Sequence, residues 1–208
     1  MFNKVELPST LIIFTRYPEP GKTKTRMIPA LGAEGAAELQ RQMSEHTLKT
    51  AQEWQKSSGG NIAIYFAGGN VSLMSNWLGK DLTYYPQVTG DLGDRMKYAF
   101  NQAFDNGATR VVIIGIDCPD INSTLINQAF SSLAKQDLVL GKAEDGGYYL
   151  IGLNYLIPKL FQNINWGTSQ VLAQTQNIAN SLNLNTAYLP ILRDVDLPED
   201  LFIWQKYQ

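Results

Sequence analysis

Short apolar runs alternate along this chain with longer stretches in which apolar residues recur every three or four positions. Leu11 to Phe14 is the first run, Leu-Ile-Ile-Phe, and reads as a buried strand. The loop Thr15–Gly21 breaks it with two prolines and a glycine. Ala33 to Trp54 then predicts one long helix, with Ala36, Ala37, Leu39, Met43, Thr47, Leu48 and Ala51 at helical spacing and charges between them. Ser57–Gly60 ends it. Ile62 to Phe66 predicts a second strand, closed by Gly68-Gly69-Asn70. A short helix over Val71 to Leu78 and a third strand over Leu82 to Tyr85 follow.

Gly90 to Arg95 opens another helix, running to about Asn106. Arg110 to Ile116 is the most strand-like run of the chain. It stops at Asp117, and Pro119 prevents simple continuation. Thr124 to Leu133 predicts a helix with Asn122 or Ser123 as its N-cap. Leu138–Leu140 and Tyr148–Leu153 predict strands on either side of Gly141–Gly147. Thr168 to Leu182 predicts a helix, Thr186 to Leu189 a final strand, and Pro198 the first turn of a last helix.

Strands and helices in alternation predict one α/β domain over residues 1–208, a mostly parallel sheet with helices on both faces. In open sheets of this kind ligands sit beyond the carboxyl ends of the strands. Three loops therefore stand out before any chemistry is considered: Thr15–Arg26, Asp117–Asp120 and Lys142–Gly147.

Composition narrows the chemistry. A net charge of −2 and a pI of about 5.4 give no footprint for non-specific nucleic-acid binding, so any phosphate must be held by a local cluster. One cysteine, Cys118, excludes an intramolecular disulfide and a cysteine-based zinc site. One histidine, His46, excludes a metal site needing two imidazoles. The first ten residues have no apolar signal core and no apolar run is long enough to span a membrane, so the expectation is a cytoplasmic protein with no membrane partner. A homo-oligomer stays open.

Four clusters carry candidate chemistry. Arg16, Lys22, Lys24 and Arg26 place four cations within eleven residues just after the first strand, with Gly21 between them. They read as a phosphate-binding loop or as a solvated basic turn. The spacing is not that of a Walker A loop. Asp117 stands at the end of a buried strand, where a carboxylate is badly placed unless it is paired or bound to a hard cation. The alternative makes it a turn or capping residue, a role that suits Asp120 better. Glu144-Asp145-Gly146-Gly147 is either a backbone that a ligand approaches or simply a good turn. Asp194 and Asp196 could face the same way from an extended segment, and one of them could join Asp117 on a metal. Glu199 and Asp200 read as capping acids.

Weaker features remain. Gly90, Asp91 and Arg95 open a helix whose amides could hold a base or phosphate. Trp166-Gly-Thr-Ser could form part of an acceptor pocket. His46 is far in sequence from every cluster, and Cys118 reads as packing.

Six pieces in order resemble one family: FTRYPEPGKTKTRM, GDLGDRM, GIDCPD, EDGGYYLIGL, the NWGTSQVL region and DVDLPEDL, spanning roughly residues 11 to 201. The chain resembles the cofactor-biosynthesis-like glycosyltransferases related to 2-phospholactate guanylyltransferase, some of them associated with arsenosugar biosynthesis, within the nucleotide-diphospho-sugar transferase superfamily. The resemblance implies a Rossmann-like GT-A fold with one antiparallel strand, placed at Tyr148–Leu153. It implies Asp117 as the metal-binding aspartate, with Asp196 as a second acidic ligand for Mg2+ or Mn2+. It implies Lys22, Lys24 and Arg26 as the phosphate-handling loop, with Asp117, Lys24 and Arg26 catalytic. Arg16, Gly90, Asp91 and Arg95 complete the expected nucleotide site. Asp145, Gly146, Gly147 and Trp166 fall on the acceptor side.

Two departures stand out. Lys142 occupies a position where proline is expected, and Pro119 occupies the second acidic position of the usual Asp-x-Asp metal motif. The function so implied is metal-dependent transfer from a nucleotide donor to a small acceptor. Glycosyl transfer from a nucleoside-diphosphate sugar comes first. The alternatives are nucleotidyl transfer to a small phosphorylated acceptor with release of pyrophosphate, and nucleotide binding without catalysis.

Overall fold

A computed structural model describes residues 9–207. The reading of the first residues as lacking a signal core falls largely outside that range. Among the described residues no helix is long and apolar enough to cross a membrane.

Seven strands form one sheet in the order β3-β2-β1-β4-β6-β5-β7. They are β1 (Ser9–Arg16), β2 (Asn61–Ala67), β3 (Thr83–Pro86), β4 (Arg110–Ile114), β5 (Leu138–Ala143), β6 (Tyr148–Leu153) and β7 (Thr186–Leu192). β6 pairs antiparallel with both β4 and β5, and the other pairs are parallel. This is the α/β Rossmann-like arrangement that the alternation predicts, with the antiparallel strand at the expected segment.

The helices are α1 (Ile28–Ser58), α2 (Val71–Leu78), α3 (Leu92–Asp105), α4 (Ser123–Ser132), α5 (Val171–Ser181) and the short α6 (Leu201–Trp204). They bury the two sheet faces separately. Leu11, Ile13, Ile62, Ile64, Val112 and Ile114 point to the face covered by α1, α2, α4 and α6. Ile12, Ala63, Tyr65, Val111 and Ile113 alternate with them to meet α3 and α5. Strands buried on both faces show no polar side, which explains why they appear in the sequence as unbroken apolar runs.

Local chemistry sets the ends. Asn70, Asp91 and Asn122 each accept the backbone N–H three residues on, capping α2, α3 and α4. Several boundaries differ from expectation: β1 runs from Ser9 to Arg16, β4 stops at Ile114 rather than Ile116, and β7 runs on to Leu192. α1 begins at Ile28, five residues early, with a kink at Gly32 whose φ of 70° leaves the helical region. α5 begins at Val171 because Thr168 Oγ1 bonds Asn165 O and accepts Gln170 N–H, closing a turn first. β5 runs to Ala143, with a register shift after Gly141, so Lys142 belongs to the strand rather than to the loop.

Candidate active site

β1 and β4 lie side by side and parallel, and beyond their carboxyl ends the chain leaves the sheet at Arg16 and at Gly115-Ile116-Asp117. The C-terminal segment returns to this point, where Val195 N–H donates to Asp117 O at 2.8 Å. That bond brings Asp194 and Asp196 beside Asp117, a proximity no sequence spacing shows.

The basic loop straps onto these acids. Lys24 has a left-handed backbone, φ 46° and ψ 43°, a conformation L-residues with a long side chain rarely adopt. Its side chain is only 4% exposed. The ammonium donates to Asp117 Oδ1 at 2.5 Å and to Val195 O at 2.5 Å. Arg26 donates to Asp196 Oδ2 at 2.5 Å. Two cations thus hold two aspartates from two other parts of the chain.

Two cavities meet at Asp117, sharing Leu92, Gly115, Tyr148 and Tyr149 as walls. The first, ≈ 370 Å³, lies between the ends of β1 and β2 and the first turn of α3, and its polar walls include Arg16, Gln40, Gln87 and Arg95. These side chains are held in place. Gln40 Nε2 donates to Arg16 O at 3.1 Å and to Thr15 Oγ1 at 3.2 Å. Gln87 Nε2 donates to Tyr65 O at 3.1 Å, and Arg95 Nε donates to Gly90 O at 3.1 Å.

The second cavity, ≈ 300 Å³, lies on the other side of Asp117. It is lined by Arg26, Asp145, Asp194, Asp196 and Trp166 among others. Its charge is visible at Asp194. Burial raises that carboxyl above its ordinary value, and Asp145, Asp117 and Asp196 push it the same way against one backbone hydrogen bond. Burial likewise raises the Cys118 thiol, with Asp194, Asp117 and Asp145 adding to the effect. A buried thiol so placed stays protonated and is no nucleophile, in line with its reading as packing.

Among the described residues no group of three or more His, Cys, Asp or Glu side chains could hold a metal. A closed protein cage is therefore not built here. The donor set does suit a hard cation that takes one or two carboxylates and keeps water and phosphate oxygens as further ligands. Asp117, with half its side chain exposed, and the neighbouring Asp194 and Asp196 supply only oxygen.

The structure gathers some of the expected residues and disperses others. Asp117, Arg26, Asp196, Asp145, Gly147 and Trp166 line the second cavity, and Arg16, Arg95 and Asp117 the first. Lys24 lies behind Asp117 rather than open to a phosphate. Lys22 lines neither cavity; its ammonium is 2.6 Å from Glu19. Asp91 is occupied as the cap of α3, and Gly90 offers its carbonyl to Arg95. Gly146 packs on Ser169: a Cβ there would stand 2.3 Å from Ser169 O, at a φ of 89°. Lys142, a possible acceptor-side cation, instead lies over the Tyr188 ring at 4.2 Å. Asp120 is no helix cap, since Asn122 caps α4; it takes the Tyr207 hydroxyl.

Three lining residues had no signal of their own. Gln40 sits mid-helix among apolar positions, and Leu92 reads as ordinary helix. Gln87 stands three residues before Gly90 and was reachable only by extending that segment backwards. His46, distant in sequence from every cluster, reaches the Asp117 loop: its Nε2 is 2.9 Å from Pro119 O.

Comparison with known proteins adds kinship. A sequence model of the family "Uncharacterized protein conserved in bacteria (DUF2064)" matches residues 50–168. No protein of curated function matches the chain. Among solved structures, the "putative nucleotide-diphospho-sugar transferase" of Desulfovibrio desulfuricans G20 superposes with a TM-score of 0.88 at 34% identity, over 96% of this chain and 87% of that one. A 4-diphosphocytidyl-2C-methyl-D-erythritol synthase from Anaerococcus prevotii DSM 20548 superposes at 0.63 with 11% identity, over 97% and 96% of the two chains. CMP:2-keto-3-deoxy-manno-octonic acid synthetase, complexed with CTP, superposes at 0.60 with 9% identity, over 96% and 98%. The last two show a shared fold.

Proposed function

The chain belongs to the DUF2064 family of uncharacterized proteins conserved in bacteria, and from its site we propose a nucleotide-utilising transferase that moves a glycosyl group from a nucleoside-diphosphate sugar to a small acceptor with the help of a divalent metal. The observation that carries this reading is the pair of cavities meeting at Asp117. A transfer needs two ligands whose reacting atoms meet at one point, and a single binding pocket would not need the second chamber. The first cavity is the donor side, where Gln87 and Arg95 face the nucleoside and Arg16 the phosphates. The second is the acceptor side.

Magnesium or manganese would be held by Asp117 together with Asp196, and when bound it offsets negative charge on a departing diphosphate. The chain's own residues do the rest. Lys24 holds Asp117 and the Val195 carbonyl together, fixing the spacing between the strand end and the returning segment. Arg16 lines the first cavity beside Asp117 and brings positive charge to the donor's phosphates, while Arg26 orients Asp196. Nucleotidyl transfer would call for more counter-charge, for a triphosphate and a phosphorylated acceptor. Of the basic loop's cations, Lys22, Lys24 and Arg26 are already paired with Glu19, Asp117 and Asp196, which favours the diphosphate donor. The likeness to the D. desulfuricans protein, at 34% identity, supports the same class. A place beside the 2-phospholactate guanylyltransferase-related glycosyltransferases is part of this reading.

The test is a thermal-shift screen of nucleotides and nucleotide sugars, with and without magnesium. A ligand at a hundred times its Kd stabilises by about 2.7 kcal/mol, which in a chain of this size raises Tm by roughly 5–10 °C. The expected result is a shift that needs the metal and disappears in Asp117→Asn, with nucleoside diphosphate released from a sugar nucleotide on turnover. No metal-dependent shift with any nucleotide would refute the site. Pyrophosphate released from a bare triphosphate and a phosphorylated acceptor would refute the glycosyl assignment.

A further inference from the structure

The second cavity carries a charge that selects what can enter it. Four carboxylates line it, Asp117, Asp145, Asp194 and Asp196, against one cation, Arg26. Asp117 and Asp196 are balanced by Lys24 and Arg26. Among the described residues neither Asp145 nor Asp194 stands in an ion pair. Asp145 Oδ1 takes only a neutral donor, the Gly147 N–H at 2.8 Å. The nearby cations are committed elsewhere: Arg193 lies 3.3 Å from Asp200 and 3.8 Å from Glu144, and Lys142 lies over Tyr188.

Trp166 adds an apolar wall to the same cavity. Its ring meets Tyr148 edge-on, with centroids 6.5 Å apart. Gly93 of α3 packs so close that a Cβ there would stand 2.8 Å from the indole, so the ring has little room to move.

We propose, building on the donor-and-acceptor reading above, that this cavity takes a polyhydroxyl acceptor of sugar type that carries no negative charge, its ring against Trp166 and its hydroxyls donating to Asp145 and Asp194, and that it rejects phosphorylated acceptors. Ionised carboxylates only accept hydrogen bonds, so hydroxyl groups pair with them while a phosphate, also rich in acceptors, does not. Like charges brought together in a partly buried site repel strongly. A divalent ion held by Asp117 and Asp196 would not reverse this, because the donor's diphosphate would bring matching negative charge. The step balances: an acceptor hydroxyl oxygen bonds to the donor's anomeric carbon, and the bond from that carbon to the diphosphate oxygen breaks. Its electron pair leaves with the diphosphate, and the hydroxyl proton passes to the cavity's carboxylates.

The test uses the full chain with magnesium and a set of UDP- and GDP-sugars, reading nucleoside diphosphate release. Acceptors are offered as pairs: glucose and glucose 6-phosphate, glycerol and glycerol 3-phosphate. The expected result is kcat/KM at least about tenfold higher for a neutral acceptor than for its phosphate ester. Asp145→Asn should raise the acceptor KM with the donor KM unchanged, and Asp145→Asn with Asp194→Asn should narrow the preference several-fold. Trp166→Phe should retain acceptor use that Trp166→Ala loses. Preference for a phosphate ester overturns the proposal while leaving the transferase reading intact. Nucleotide binding that no acceptor, neutral or phosphorylated, converts into turnover overturns the transferase reading, and this one with it. Failure of every nucleotide to shift Tm overturns the parent reading, and this one with it.

Discussion

Replacing Lys24 by methionine keeps most of the side chain's volume and removes only its charge and hydrogen bonds. The ammonium makes two bonds, to the Asp117 carboxylate and the Val195 carbonyl, each 2.5 Å long. A hydrogen bond involving a charged group contributes about 1.5–3 kcal/mol. The Asp117 side chain is half exposed and regains water when the lysine is lost, so its bond belongs at the low end. The sum is about 3 kcal/mol, a Tm lower by roughly 6–12 °C. Urea or thermal unfolding at pH 7 measures it. The left-handed backbone at Lys24 gives a second handle. Lys24→Gly and Lys24→Ala lose the same bonds and the same stem, but glycine tolerates φ 46°, so alanine is less stable than glycine by about 1 kcal/mol. Because the lysine is buried, a double-mutant cycle with Asp117→Ala shows coupling that survives 0.5 M salt, a concentration that screens exposed pairs. A Lys24→Met protein within about 0.5 kcal/mol of the parent would refute the reasoning, for the strap would then be an exposed contact of little weight.

Two further outcomes follow from the same geometry. Gly146→Ala places a Cβ against the Ser169 carbonyl at a positive φ, with backbone rather than a flexible side chain in the way. It costs about 2–4 kcal/mol, seen as a lower urea midpoint, and an unchanged midpoint would show that the turn yields freely. Asp194→Asn tests the charge of the second cavity. The folded carboxyl holds its proton more tightly than the unfolded chain does, so its contribution to stability is lost as pH rises through that raised pKa. The substitution therefore raises Tm at pH 7, and the gain vanishes below the unfolded value of about 3.9. A Tm gain that is the same at both pH values would refute the electrostatic origin.

The sheet was legible because burial on both faces leaves strands without polar positions. Leu11–Phe14, Ile62–Phe66 and Arg110–Ile116 could be placed without any partner in view, the last overrunning its strand by two residues. The antiparallel strand was another matter: Tyr148–Leu153 looks like its neighbours, and its direction came from family resemblance rather than from its residues. Boundaries went astray where a turn competes with a helix, as at Thr168, or where a strand runs on through a bulge, as at Gly141. The candidate site was legible in part. A carboxylate at the end of a buried strand marks itself by its cost, and so Asp117 stood out, whereas Asp196 was separated from Asp194 only by family resemblance.

Residue type and spacing by themselves determined the class of fold, the strand ends that matter and the kinds of group gathered there. Those follow from periodicity and from the penalty of burying charge, which are local properties of the chain. Only the tertiary structure decided which groups meet. Lys24 and Asp117 are 93 residues apart, and Arg26 and Asp196 are 170 apart. Whether a lysine faces a phosphate or an aspartate depends on where the returning C-terminal segment lies. The sheet's order sets that position, through one bond from Val195 to Asp117.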